Sequence, residues 1–306
     1  MTYNQLWKRL TAIYNEREAQ AIVRTVLDAL FGMSLTDICL GKVTQLSADD
    51  TTRLEKIMQR LEKSEPVQYV LGAEWFAGRL FDVAPGVLIP RPETEDLVKW
   101  ACDEAKEKED NSKEERGKEE KEDSKKEEVP HPSILDIGTG SGCIAITVAL
   151  ALPQARVTAW DISTDALAIA AGNAHRLGAS VRFEHQDALS APDDEERWDV
   201  IVSNPPYICD RERADMSDNV LSYEPELALF VPDSDPLLFY RAIVRYASKA
   251  LKPGGRLLFE TNTAYAHEVA QAMADEGFTA IEIRNDCFGK PRMVKGAFFK
   301  GKKVKK

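Results

Sequence analysis

The sequence predicts a doubly wound α/β domain carrying one reversed strand, preceded by a small helical domain. Three observations carry that reading. From residue 133 onward, short β-branched runs alternate with longer amphipathic segments, a glycine-rich turn joins the first of these strands to its helix, and residues 3–63 carry apolar side chains at helical spacing only. With 306 residues the chain is long enough for two domains. No apolar run approaches the roughly 18 to 20 residues of a membrane-spanning helix. Charges interrupt the first thirty residues, so no signal peptide is expected and the expected location is cytoplasmic. The five cysteines, Cys39, Cys102, Cys143, Cys209 and Cys287, form no CxxC pair, which argues against a disulfide framework or a metal site.

In chain order, Ile22, Val23, Val26, Leu27, Leu30 and Phe31, then Leu54, Ile57, Met58 and Leu61, recur on single helical faces. Ser47, followed by Asp49 and Asp50, is placed to cap the last of these helices. This helical domain is assigned residues 1–72. Aromatic and β-branched runs around Gly78 and Pro85-Gly86 then predict a β-hairpin linker within residues 73–92. Residues 93–306 form the second domain. Its first helix starts over Glu93 to Trp100 and runs into a Lys/Glu-rich stretch with almost no apolar residue to dock, so residues 103–129 are expected to be a charged, mobile insertion. Strands follow near 134–137, 156–161, 181–185, 198–203 and 256–261, with helices near 143–152, 164–177, 237–251 and 264–276. Such alternation implies parallel β-α-β units with right-handed crossovers. The last two strands, near 280–285 and 293–300, have no helix between them and should pair antiparallel.

The net charge of −11 is unevenly spread. Residues 103–128 hold 13 acidic and 8 basic side chains, a net −5, which leaves −6 elsewhere. The folded part is mildly acidic and lacks the general basic footprint of a DNA-binding protein, so a nucleic-acid substrate is disfavoured. The closing GKKVKK is expected to be a solvated tail.

Two motifs carry chemistry. Asp136-Ile137-Gly138-Thr139-Gly140-Ser141-Gly142 closes the first strand of the α/β domain and opens a helix; its GxGxG spacing has Cys143 where a dinucleotide fold would have its third glycine. Asp161 and Asp187 end the next two strands. In an open α/β sheet they would face the crevice beside the glycine turn, the first able to accept ribose hydroxyls and the second an adenine amino group; either could instead cap the helix that follows. Asn204-Pro205-Pro206-Tyr207 directly follows the apolar strand WDVIVS. Its prolines hold the backbone extended, leaving carbonyls available as acceptors, while Asn204 adds an amide and Tyr207 a flat face. That set suits a planar –CO–NH₂ or ring –NH₂ group.

The turn GTGSG, Asp161, the segment LKPGGRLLFE and the antiparallel last strands resemble class I S-adenosylmethionine-dependent methyltransferases, with a seven-stranded sheet whose last strand is antiparallel. NPPY narrows the resemblance to amino-group methyltransferases. EPVQYVLG, VLIPRPETE, VSNPPY, YEPELAL and GKPRMVKG are similar to the PrmC/HemK family over nearly the whole chain except the charged insertion. The resemblance implies S-adenosyl-L-methionine as cofactor and, as partner and substrate, the GGQ-containing domain of peptide chain release factors. The implied reaction is methylation of the glutamine side-chain nitrogen, N5, which modulates translation termination, with substrate recognition by the helical domain and no membrane or nucleic-acid partner. The alternative is a DNA or RNA amino-methyltransferase acting on adenine N6 or cytosine N4, since the same bracket serves those groups. Carried onto this sequence, Gly138, Thr139, Gly140, Ser141, Gly142, Asp161, Asp187, Ala188 and Asn204 would hold the cofactor. Asn204, Pro205 and Tyr207 would be catalytic, and Arg91, Pro92, Asn204, Pro205, Pro206 and Tyr207 would contact substrate. The chain departs from the family's pattern at the insertion, at Ala188, where some relatives have an aromatic residue, and at Thr261-Asn262, where Ile-Gly is usual.

Overall fold

The computed structural model of the protein describes residues 1–119 and 131–299, and divides into two compact units. The first comprises Met1–Ala73, Val83–Pro85 and Asp215–Glu224, the second Glu74–Asp82, Gly86–Ala214 and Pro225–Lys306.

The first unit is built on α1 (Tyr3–Arg9), α2 (Glu16–Phe31), α3 (Leu35–Cys39), α4 (Ala48–Leu61) and α5 (Val67–Leu71). Asn15 and Ser47 cap α2 and α4 by accepting from the backbone N–H of Glu18 and Asp50, so the expected cap at Ser47 is present. Leu6, Leu10, Val23, Val26, Leu27, Leu54, Met58 and Leu61 meet in a core of their own. Across it Arg9 grips both oxygens of Glu55 at 2.7 Å and Glu62 at 2.6 Å. Sequence reading stopped this unit at residue 72, but residues 83–85 and 215–224 also belong to it. The Val83 N–H donates to the Gly72 carbonyl at 3.0 Å and the Tyr223 hydroxyl to the Lys63 carbonyl at 2.8 Å, long-range bonds that no periodicity announces.

The second unit begins with the hairpin β1 (Ala73–Phe76) and β2 (Arg79–Asp82). Its turn residues Ala77 and Gly78 both have positive φ, 48° and 72°, as a two-residue hairpin turn requires. Then follow α6 (Thr94–Glu119), β3 (Ser133–Ile137), α7 (Cys143–Ala151), β4 (Arg156–Asp161), α8 (Thr164–Leu177), β5 (Val181–His185), β6 (Trp198–Ser203), β7 (Ile208–Cys209), α9 (Asp218–Tyr223, in the helical unit), α10 (Glu226–Leu229), β8 (Phe230–Val231), α11 (Leu238–Ala250), β9 (Leu251–Glu260), α12 (Ala266–Asp275), β10 (Phe278–Asn285) and β11 (Pro291–Phe298). The seven-stranded sheet has the order β10-β11-β9-β6-β3-β4-β5. Only β11 runs antiparallel to its neighbours, and it lies between β9 and β10 rather than at the rim. Strand alternation divides the core. Ile134, Val200, Val202 and Leu258 pack with α6 and α7, while Leu135, Ile137, Ile201 and Phe259 pack with α11 and α12.

Of residues 103–129, expected to be a charged, mobile insertion, 103–119 continue α6 as helix through Glu119. Ala105 is fully buried and Glu104 is 5% exposed, accepting from Arg256 at 2.9 Å, Lys295 at 2.5 Å and the Trp100 indole N–H at 3.1 Å. Lys108 donates to the Pro253 carbonyl at 3.0 Å. A charged helix face can dock through ion pairs to strands far away in sequence, which local composition does not display. The rest of that segment, from residue 120 to 130, and the GKKVKK tail lie outside the described residues.

Candidate active site

The carboxyl ends of β3, β4, β5 and β6 open onto a cavity of about 300 Å³, over the point where the strand order reverses direction about β3. Its wall is formed by Gly138 and Gly140, by Asp161 to Ser163, by Gln186 to Leu189 and by Ser203 to Pro206, with Val87, Pro225, Leu227 and Phe239 closing the sides. Of the predicted site residues, Gly138, Gly140, Asp161, Asp187, Ala188, Asn204, Pro205 and Pro206 are therefore brought together at one cavity.

The glycine turn is fixed from below. The N–H groups of Gly138 and Thr139 both reach the Trp160 carbonyl at 2.9 Å, and the Gly140 N–H reaches Asp161 Oδ2 at 2.8 Å. Gly140 has φ 54° and no protein atom within 4 Å of where a Cβ would stand, so its backbone is left open to a ligand. Gly142 serves packing instead: a Cβ there would fall 2.8 Å from Ile146 Cδ1 and 3.0 Å from Ala170 Cβ. Thr139 and Ser141 are 3% and 2% exposed and do not line the cavity.

Asp161 does not cap the helix that follows it; Ser163 does. Its Oδ1 accepts the Ser163 N–H at 2.9 Å and its Oδ2 the Gly140 N–H, and each oxygen keeps a second lone pair for a ligand hydroxyl. Asp187 does act as a cap, accepting the Leu189 N–H at 2.8 Å, while also bordering the cavity. Ile162 and Leu189 stand 43% and 46% exposed on the wall, large apolar side chains presented to open space. A nucleoside fits this donor set, its ribose on Asp161 and its flat base against the apolar pair, as S-adenosylmethionine requires. Asp161→Ala is expected to weaken cofactor binding by about 1.5–3 kcal/mol, since it removes a charged acceptor and frees the glycine turn; titration calorimetry with an unchanged dissociation constant would refute the assignment.

Asp136, beneath the turn, is fully buried. Its Oδ2 accepts from Thr139 Oγ1 at 2.6 Å and the Ala145 N–H at 3.2 Å, whereas Oδ1 has no partner. Burial pushes its carboxyl up to about 7, with the hydrogen bonds to Thr139 and Ala145 opposing. A carboxyl raised in the folded state stabilises the fold below its unfolded pKa and loses that contribution as pH rises through the folded value. Folding stability should therefore fall between about pH 4 and about pH 7, and Asp136→Asn should flatten that part of a denaturation profile.

Asn204 emerges from β6 half-buried; its Nδ2 donates to Thr94 Oγ1 at 3.4 Å. Thr94 Oγ1 in turn donates to Glu260 Oε2 at 2.6 Å, and the Tyr207 hydroxyl donates to Glu260 Oε1 at 3.2 Å. The Pro205 carbonyl accepts no described hydrogen bond. Tyr207 is not among the residues that line the cavity: its ring packs on the α11/α12 side of the core and burial holds its hydroxyl far above the usual tyrosine range. Tyr207 is half-buried, with its hydroxyl tied to Glu260. Arg91 and Pro92 do not line the cavity either. Sequence reading gave Glu260 no role and carried Thr94 only as the end of the segment Arg91-Pro92-Glu93-Thr94 that the resemblance places at the site. The signal for Glu260 was an acid ending the apolar run RLLFE, a residue type that needs a partner when buried.

Comparison with known proteins agrees with this geometry. Residues 3–72 match the family described as PrmC N-terminal domain, and residues 124–222 match the methyltransferase small domain. A protein of Bacteroides thetaiotaomicron named release factor glutamine methyltransferase is 44% identical over 286 residues, covering 93% of this chain and 95% of its own. Proteins of the same name from Flavobacterium psychrophilum, 37% identical with 96% and 97% covered, and Chlorobaculum tepidum, 36% identical with 92% of each covered, are similar throughout. With its sheet order, its Asp161 cavity and its NPPY bracket, this chain belongs to the release factor glutamine methyltransferase family.

Proposed function

We propose that the protein transfers the methyl group of S-adenosyl-L-methionine to the side-chain amide nitrogen of the glutamine in the GGQ motif of peptide chain release factors, acting in the cytoplasm. The observation that carries this reading is Asn204: its nitrogen is held by Thr94, which leaves its oxygen to accept, and it lines the same cavity as Pro205, whose carbonyl accepts no described hydrogen bond, and Asp161. An amide nitrogen is a poor nucleophile because its lone pair is delocalised. Two acceptors on its hydrogens fix the lone pair in one direction and stabilise the positive charge that develops on nitrogen. S-adenosylmethionine, when bound, would supply an electrophilic methyl group and leave as the thioether S-adenosylhomocysteine, and the methylated nitrogen, made acidic, loses one hydrogen as a proton to water. The rest is placement by Asp161, the glycine turn and the bracket, which hold the reactants in line. Tyr207, its hydroxyl held by Glu260, would supply the flat face against the substrate amide.

The test is mass spectrometry of a release factor incubated with the protein and labelled S-adenosylmethionine. The GGQ glutamine should gain one methyl group, and a release factor with that glutamine replaced should gain none. Label appearing on duplex DNA, or on the glutamine-less factor, would overturn the reading.

A further inference from the structure

We propose that Thr94 and Glu260 are positioning residues that decide which end of the Asn204 side-chain amide faces the cavity. The inference rests on the function proposed above. It follows from counting donors. Glu260 is 1% exposed at the end of β9; burial raises its carboxyl pKa, the hydrogen bonds from Thr94 and Tyr207 and the charge of Arg292 oppose that rise, and in its ionised form the carboxylate only accepts. Its two oxygens take the single hydroxyl hydrogens of Thr94, at 2.6 Å, and Tyr207, at 3.2 Å. With its hydrogen committed to Glu260, Thr94 Oγ1 has only lone pairs left, and the atom it faces at 3.4 Å must be a donor. The Asn204 amide meets that demand with Nδ2. Rotated by half a turn it would set Oδ1 against Oγ1, two acceptors in contact, so Oδ1 is directed away from Thr94.

The polarity therefore runs from Asn204 through Thr94 to Glu260, and it delivers an acceptor to the substrate amide. The reverse orientation would present –NH₂ to –NH₂, which cannot hold the glutamine nitrogen. The charges acting on Glu260 include Arg292 on β11, itself paired with Asp286 at 3.3 Å, and Glu93 beside Thr94. The backbone of Glu260 is anchored as well, its carbonyl accepting from the Tyr240 hydroxyl at 3.1 Å. Neither Thr94 nor Glu260 lines the cavity, so both act through Asn204.

The experiment compares Thr94→Val and Thr94→Ser with the parent protein at saturating cofactor and release factor. Thr94→Val keeps the side-chain shape but removes the hydroxyl; kcat is expected to fall about tenfold, with the cofactor dissociation constant unchanged and the release-factor KM within about threefold. Thr94→Ser restores the hydroxyl and should return kcat to within about threefold of the parent. Glu260→Gln, an isosteric change that lets a side-chain N–H donate to Thr94 and so invites the flipped amide, should lower kcat about as much. Parental kcat in Thr94→Val or in Glu260→Gln, or a serine variant as impaired as the valine one, overturns the inference. If the parent itself leaves the GGQ glutamine unmethylated, the failure belongs to the proposed function instead.

Discussion

Asn204→Ala is expected to bind S-adenosylmethionine as the parent does and to lose about 10²- to 10³-fold in turnover, the usual cost of removing one pre-placed group from a site that stabilises developing charge. The reason is separation of labour within the cavity. Asp161 ends β4 and the glycine turn follows β3, whereas Asn204 follows β6 and its nitrogen is already engaged by Thr94. Truncation leaves the nucleoside wall untouched and takes away one of two acceptors at the reacting nitrogen. Single-turnover rates beside calorimetric affinities separate the two contributions. Equal loss in both would mean that Asn204 serves cofactor binding alone, and a rate within threefold of the parent would remove it from the reaction.

Glu104→Ala should destabilise the fold by about 3–5 kcal/mol, because it takes the carboxylate partner from Arg256 and leaves Lys295 only its longer pair with Glu282 at 3.3 Å. Arg256 and Lys295 have side chains only 17% and 14% exposed, and both meet the Glu104 carboxylate, which is 7% exposed. Burial opposes its ionisation, yet the hydrogen bonds from Lys295 and Arg256 outweigh that and hold the carboxyl below its usual value. A lowered carboxyl contributes stability above its unfolded pKa and loses it as pH falls, opposite in sign to Asp136. Denaturant titration at neutral pH measures the loss. Replacing Glu104, Arg256 and Lys295 together by methionine should recover much of it, since the penalty lies in unpaired charge rather than missing contact. A triple variant as unstable as the single one would contradict this account.

The alternation of strands and helices after residue 133 was legible because each element has a buried face with its own period, and the ends of β4, α8, β5 and β6 fall where the pattern places them. Asp161 and the NPPY bracket were legible because strand ends in such sheets converge on one crevice. Three things were not. The hydrogen bond that ties the Tyr207 hydroxyl to Glu260, 53 residues away in sequence, has no local signal. The docking of α6 depends on Arg256 and Lys295, which local composition cannot reveal. Gly142 looks like its neighbours in GTGSG, yet a side chain there is excluded by Ile146 on its own helix and Ala170 on the next.

The allocation of residues 215–224 to the helical unit bears on how the protein is made. A ribosome delivers Met1–Ala73 first, but the segment carrying Tyr223, whose hydroxyl bonds Lys63 across 160 residues of chain, emerges only after β3 to β6 and the NPPY bracket have been synthesised. The helices' own core, drawn from residues 6–70, can close before then, so the Tyr223 bond is a late, high-contact-order addition to it in the life of the nascent chain.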